Sequence, residues 1–164
     1  MMPGRQPRSA DVPHSTASVT DSFIKAHLAD AQMVQRKFAV PASVVLAQSA
    51  YESGWGVSVV DNAYFGIKGH APDGHSTHFV THEYDASGHR KQVTDRFRAY
   101  AGYQEAAIDY ARTLQQSYPE AFTSKGDGLK FVLYLKHYAT FPGYVQTLQK
   151  IIRQYNLQQY DKQP

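Results

Sequence analysis

Positions Ile24, Leu28, Ala31, Gln35 and Phe38 recur at the three-to-four-residue interval of one helical face, which predicts a helix over 20–38. Ser18 and Asp21 stand in capping-box spacing at its start. The next segment, 41–52, opens on Pro41 and is apolar nearly all round, through Val44, Val45, Leu46, Ala47, Ala50 and Tyr51. A helix of that character is buried rather than surface-lying, and Ser53-Gly54 supplies a left-handed stop. Residues 57–76 are rich in Gly, Asp, Asn and His, show no period and predict a long loop, the kind of segment that often carries function. Strands over 78–84 and 91–97, with Asp85-Ala86-Ser87-Gly88 between them, predict a hairpin. Helical spacing returns over 103–116, with Tyr103, Ala107, Tyr110, Ala111 and Leu114 on one face. A Gly126-Asp127-Gly128 break then precedes a short helix over 129–137, and a last helix runs from Pro142 to Tyr155, stopping on Asn156 with Leu157 folding back. Helices around one small hairpin make an α+β, mostly helical fold.

Composition adjusts this picture in a few places. The 164 residues support one domain with a full core, and no internal repeat is visible. The opening stretch, 1–18, is rich in Pro, Ser, Gly and charge and reads as a disordered leader rather than a secretory signal, leaving 19–164 as the folded domain. No segment is long and apolar enough to span a membrane. Without cysteine there is no disulfide framework, thiolate nucleophile or cysteine zinc site. The formal charge of +3 is a mild basic excess that suits an anionic polymer. Lys and Arg are scattered, with no run denser than His89-Arg90-Lys91, which argues against nucleic acid. The aromatic residues serve core packing and leave flat rings for a groove.

Glu52 closes the buried helix and leads straight into the turn Gly54-Trp55-Gly56. A carboxyl there faces the negative end of the helix dipole and loses solvation beside Trp55. Both effects favour the protonated form, which a general acid needs. An ordinary glutamate at a helix end is a solvated charge, and its neighbours are what change that reading. The segment A-Q-S-A-Y-E-S-G-W-G, followed after a short loop by N-A-Y-F-G-I-K (62–68), resembles the bacterial peptidoglycan-degrading β-N-acetylglucosaminidases of glycoside hydrolase family 73, which include flagellar rod hydrolases and many autolysins. The resemblance covers about residues 20–161 in register.

That resemblance implies a lysozyme-like catalytic domain that cuts the β-1,4 bond after N-acetylglucosamine by acid/base chemistry, with Glu52 as general acid. The hairpin stretch from T-H-E-Y-D-A-S-G to F-R-A-Y matches the part of the family that carries a second acidic residue, which points to Glu83, with Asp85 and Asp95 as rivals. On physics alone Glu83 is a solvated strand charge. Substrate-assisted catalysis by the sugar's 2-acetamido group is the alternative to a second carboxylate. Tyr138, in H-Y-A-T-F-P-G-Y, resembles the family's G-Y-A-T-D-P-x-Y and implies a phenol that binds the acetamido group or orients a water. His137 replaces the family's Gly and Phe141 its Asp. Trp55, Tyr64 and Phe65 are expected to line the groove, Phe65 with core packing as the stronger alternative. Asn62 is a further substrate-side candidate whose competing role is to hold its own turn.

Five histidines, His70, His75, His78, His82 and His89, raise the alternative of a zinc wall peptidase. No H-E-x-x-H is present, since Tyr84, Asp85 and Ala86 follow His82-Glu83, so neither metal nor cofactor is expected. A non-catalytic wall-binding module is the other rival class. The expected setting is the periplasm or cell wall, reached without a Sec signal peptide, and the expected state is a monomer with no membrane or nucleic-acid partner. A small leaderless hydrolase resembles a phage lysin or, preferred here, an antibacterial effector injected by a type VI secretion system. The effector reading implies a periplasmic immunity protein that plugs the groove around Glu52, Trp55 and Tyr64.

Overall fold

The computed structural model describes residues 16–162, and side chains from Val19 onward. The leader expected over 1–18 therefore lies outside the described residues as far as residue 15, while 16–18 already belong to the first helix, α1 (Thr16–Phe38). The capping-box pair falls inside that helix rather than at its start. Its buried stripe runs through Phe23, Ile24, Ala31 and Val34, rotated slightly from the expected face, with Leu28 and Phe38 partly covered.

The second helix, α2 (Ala42–Ser53), is the centre of the molecule, and every residue of it except Tyr51 is buried. Its first amide groups cannot be capped by Pro41, so distant side chains do the work. Gln35 Oε1 accepts from Ala42 N at 2.8 Å, and the Asp161 carboxylate accepts from both the backbone and the hydroxyl of Ser43 at 2.7 Å. At the other end Gly54 takes the left-handed conformation (φ 58°) and Trp55 N donates to Ala50 O at 2.8 Å. Glycine pays no Cβ penalty there, and the stop holds Glu52 in the final turn.

The hairpin consists of β1 (Ser76–Tyr84) and β2 (Arg90–Arg98), antiparallel, with Ser76 opposite Arg98 and Glu83 opposite Lys91. Asp85 Oδ1 accepts from the amides of Ser87 and His89, both at 2.9 Å, which fixes the turn. The loop after α2 docks on β2: Lys68 bridges to Phe97, Arg98 N donates to Ile67 O, and Gly69 N donates to Arg96 O. Phe79 stacks on the buried Phe97 at 4.0 Å.

The third helix, α3 (Tyr103–Ser117), buries Tyr103, Ala107, Tyr110, Ala111 and Leu114, the face its spacing predicts, together with Ala106 and Asp109. A 3-10 turn, Pro119–Ser124, follows. Where one helix over 129–137 is predicted, the chain makes a single turn, α4 (Gly128–Phe131), then a 3-10 turn, Val132–Leu135. Asp127 caps α4 through the amides of Leu129 and Lys130. A Cβ on Gly128 would sit 2.2 Å from Ser43 Oγ, so only glycine lets this turn approach the start of α2. The last helix, α5 (Tyr144–Gln154), ends before Asn156 in the left-handed region (φ 50°), and Leu157 folds back into the core as expected. A closing 3-10 turn, Leu157–Asp161, delivers the Asp161 cap to α2. Among the described residues no helix is long and apolar enough to cross a membrane.

Candidate active site

Glu52 is fully buried where α2 meets α5. Its Oε1 accepts a hydrogen bond from Tyr144 Oη at 3.2 Å, and its Oε2 has no partner among the described residues. Burial raises its pKa well above the ordinary carboxylate value, and the Tyr144 hydrogen bond opposes the shift without cancelling it. Tyr144 Oη in turn accepts from Gln48 Nε2 at 2.9 Å, and Gln48 Oε1 accepts from Tyr110 Oη. Gln48 lies one turn before Glu52 on the same helix, so the geometry of α2 sets both groups facing α5.

Tyr138 stands next to this chain, its ring parallel to that of Tyr144 (5.9 Å, 5°). It is 2 % exposed, and its hydroxyl donates to the Phe65 carbonyl at 2.6 Å. The phenol that the resemblance aims at the sugar is thus engaged in tying the H-Y-A-T segment to the N-A-Y-F-G loop, while Tyr144, six residues on, touches the acid. The two departures from the family motif are absorbed locally. His137 is exposed and not at positive φ, so no glycine is required there. Phe141 packs near Tyr84 (5.6 Å), and Tyr84 N donates to Thr140 Oγ1 at 2.9 Å, joining this segment to the hairpin.

Glu83 lies on the inner face of the hairpin, hydrogen-bonded and ion-paired to Lys68, whose ammonium also reaches Asp95 Oδ2 at 2.9 Å. The Lys68 hydrogen bond holds the Glu83 carboxyl below its ordinary pKa, and Asp95 is lowered by the same contact. Of the three hairpin acids, Asp85 belongs to the turn, whereas Glu83 and Asp95 share one cation. Glu52 and Glu83 are therefore pushed in opposite directions, Glu52 toward its neutral form and Glu83 toward its ionised form, the pattern that separates acid from base in glycosidases.

The three aromatic residues expected at the groove have different surroundings. Phe65 is 1 % exposed and stacks on Tyr110 at 4.2 Å, so its ring belongs to the core and not to a groove wall. Trp55, 8 % exposed and in the left-handed region (φ 58°), packs edge-on to Tyr155 at 4.7 Å and to Phe23 at 5.7 Å, and lines a cleft with Phe23, His27 and Val57. Tyr64 keeps a half-exposed ring against His27 and Tyr103. Asn62 donates to Tyr100 O at 3.0 Å from a left-handed position (φ 58°), holding the loop turn. Among the described residues no group of three or more His, Cys, Asp or Glu could hold a metal.

Tyr144 and Gln48 are the contacts the sequence reading missed, although both fall inside the quoted motifs. Tyr110 has no signal beyond its place on a helical face.

The model of the glucosaminidase family, described as mannosyl-glycoprotein endo-beta-N-acetylglucosaminidase, matches residues 28–157. The chain is 33 % identical over 146 residues to the peptidoglycan hydrolase FlgJ of Pseudomonas aeruginosa, covering 82 % of this chain and 36 % of that protein. It is 30 % identical over 161 residues to the exo-glucosaminidase LytG of Bacillus subtilis, covering 85 % and 53 %. It thus spans from about a third to about half of these relatives' lengths. Among solved structures, the catalytic domain of the autolysin Auto from Listeria monocytogenes is similar with a TM-score of 0.73 at 29 % identity, covering 93 % of each chain. The glycoside hydrolase domain of Salmonella typhimurium FlgJ, C-terminally truncated, gives 0.67 at 31 % identity, covering 84 % of this chain and 97 % of that one. With the family model spanning most of the fold and the lysozyme-like domains superposing on it, this chain belongs to the glucosaminidase family.

Proposed function

We propose that the chain is a glycoside hydrolase that cleaves peptidoglycan glycan strands at the β-1,4 bond after N-acetylglucosamine. The observation that carries this reading is Glu52, a buried carboxylic acid whose burial favours the neutral form and whose Oε2 is left without a protein partner. A neutral carboxyl with one buried oxygen that no protein group uses can give its proton to a glycosidic oxygen brought against it, as the bond from C1 to that oxygen breaks. The sugar is then oxocarbenium-like, water adds at C1, and the proton released by that water restores the acid. Glu83, kept ionised by Lys68, supplies negative charge for the electron-poor sugar or for the incoming water. Tyr138 acts through structure, since its hydroxyl holds the Phe65 carbonyl and its ring backs Tyr144.

The direct test is release of reducing ends from purified peptidoglycan. Wild-type protein should release them, and Glu52→Gln should lose all but a trace while keeping its fold, because an amide cannot act as the acid. A folded Glu52→Gln variant that cleared peptidoglycan at the wild-type rate would overturn the assignment. For the biological role we propose the antibacterial effector, carried by the resemblance alone, acting in the periplasm with a plugging immunity protein. Protection of cells by the product of the adjacent reading frame, when this protein is directed to the periplasm, is its test, and phage holin genes in that position would overturn it.

A further inference from the structure

We infer that Tyr110, Gln48 and Tyr144 form a one-way chain of hydrogen-bond donors that makes Glu52 Oε1 an acceptor and so assigns the transferable proton to Oε2. The inference rests on Glu52 being the acid and adds three positioning residues to it. All four side chains are sealed from solvent, which removes water as a substitute partner.

The direction follows from the inventory of donors and acceptors. A tyrosine hydroxyl has one hydrogen, and a glutamine amide has a donor end and an acceptor end. Tyr110 Oη donates to Gln48 Oε1, which turns the NH2 end toward Tyr144; Gln48 Nε2 donates to Tyr144 Oη at 2.9 Å; the hydrogen of Tyr144 is then left for Glu52 Oε1 at 3.2 Å. With Oε1 accepting, a neutral Glu52 carries its hydrogen on Oε2, the oxygen without a protein partner. Reversing the amide would make Tyr110 an acceptor and strand its hydrogen, for which the described residues offer no second acceptor. It would also place the acid's hydrogen on Oε1, where it is taken up within the protein by Tyr144. A stranded buried donor is unfavourable, whereas in the observed direction the one unmatched group is the hydrogen that the substrate oxygen would receive. Tyr110, Tyr138 and Tyr144 feel the charge of Glu52, and burial first of all raises each of them above its ordinary value. None of the three competes for the proton at neutral pH.

The test is Tyr110→Phe, which keeps the ring stacked on Phe65 but removes the hydroxyl that locks the amide, with Tyr144→Phe as the second variant. Infrared difference spectra between each protein and its Glu52→Gln counterpart isolate the carbonyl stretch of the protonated acid. That band should move to higher wavenumber in both variants as Oε1 loses its donor. In kinetics on peptidoglycan fragments, Tyr110→Phe should lower kcat about tenfold, the size of one hydrogen bond, with KM nearly unchanged. The alkaline limb of its rate profile should shift upward, because the lost donor had favoured the ionised acid. A Tyr110→Phe protein with the wild-type band, kcat and alkaline limb would overturn the relay. The infrared band needs no turnover, so failure of the glycosidase reading would show in the Glu52→Gln assay and not here.

Discussion

Replacing Glu52 by Gln should make the protein gain stability on the wild type as pH rises from acid to neutral, even as it removes activity, and the gain should follow pH in a calculable way. In the folded state burial holds the carboxyl neutral well above its ordinary value of 4.5, whereas in the unfolded chain it ionises near that value. Between the two, the native state binds the extra proton, so stability falls as pH rises, by about 1.4 kcal/mol per pH unit. Below the unfolded value both states are protonated and the penalty vanishes. Gln carries no such dependence. Two pH units above the unfolded value, the variant should therefore have gained about 3 kcal/mol on the wild type relative to their difference in acid, provided the folded pKa lies above that point. For a domain of this size that is roughly 6–12 °C in Tm. The depressed acids Glu83 and Asp95 contribute slopes of the opposite sign at lower pH, but they are common to both proteins and cancel in the difference. Calorimetry of both proteins at a series of pH values from acid to neutral reads the effect. A Tm difference that stays constant with pH would refute a neutral, buried Glu52.

Lys68→Met should release Glu83 and Asp95 from their shared cation, so their pKa values rise toward ordinary carboxylates and the acid limb of activity moves to higher pH; the stability change should stay below about 1 kcal/mol, as for exposed ion pairs. Asp161→Ala should cost about 1–2 kcal/mol in urea unfolding, because Ser43 N loses the side-chain acceptor at the start of α2. Activity should survive exhaustive chelation, since the described residues hold no ligand cluster, and a loss that zinc restores would move the chemistry to a metallopeptidase.

Local signals carried much of this fold. Gly54 at the end of an all-apolar run marked both the stop of α2 and the place of Glu52, and the Asp85-Gly88 turn marked the hairpin. Where a single helix is expected over 129–137 the chain makes one helical turn and then a 3-10 turn, and the close approach of Gly128 to Ser43, across 85 positions, is a contact that no local pattern records. Tyr138 and Tyr144 share one motif, and only the packing of α5 on α2 shows which of them meets the acid. Trp55 lines a cleft but packs most of its ring on Phe23 and Tyr155, from a left-handed backbone position hard to foresee for a non-glycine residue. The effect of burial on Glu52 was visible as a tendency, but the Tyr110–Gln48–Tyr144 chain joins residues from three helices and emerges only when they are packed together.

The central claim, an acid-catalysed glycosidase that cuts after N-acetylglucosamine, meets its most direct test in the chemistry of the new chain end. Purified peptidoglycan is digested, the products are reduced with borohydride, and mass spectrometry identifies the reduced terminal sugar. The account predicts N-acetylglucosaminitol at the new ends with wild-type protein and none above background with Glu52→Gln. N-acetylmuramitol, or cleavage confined to the peptides, would contradict it.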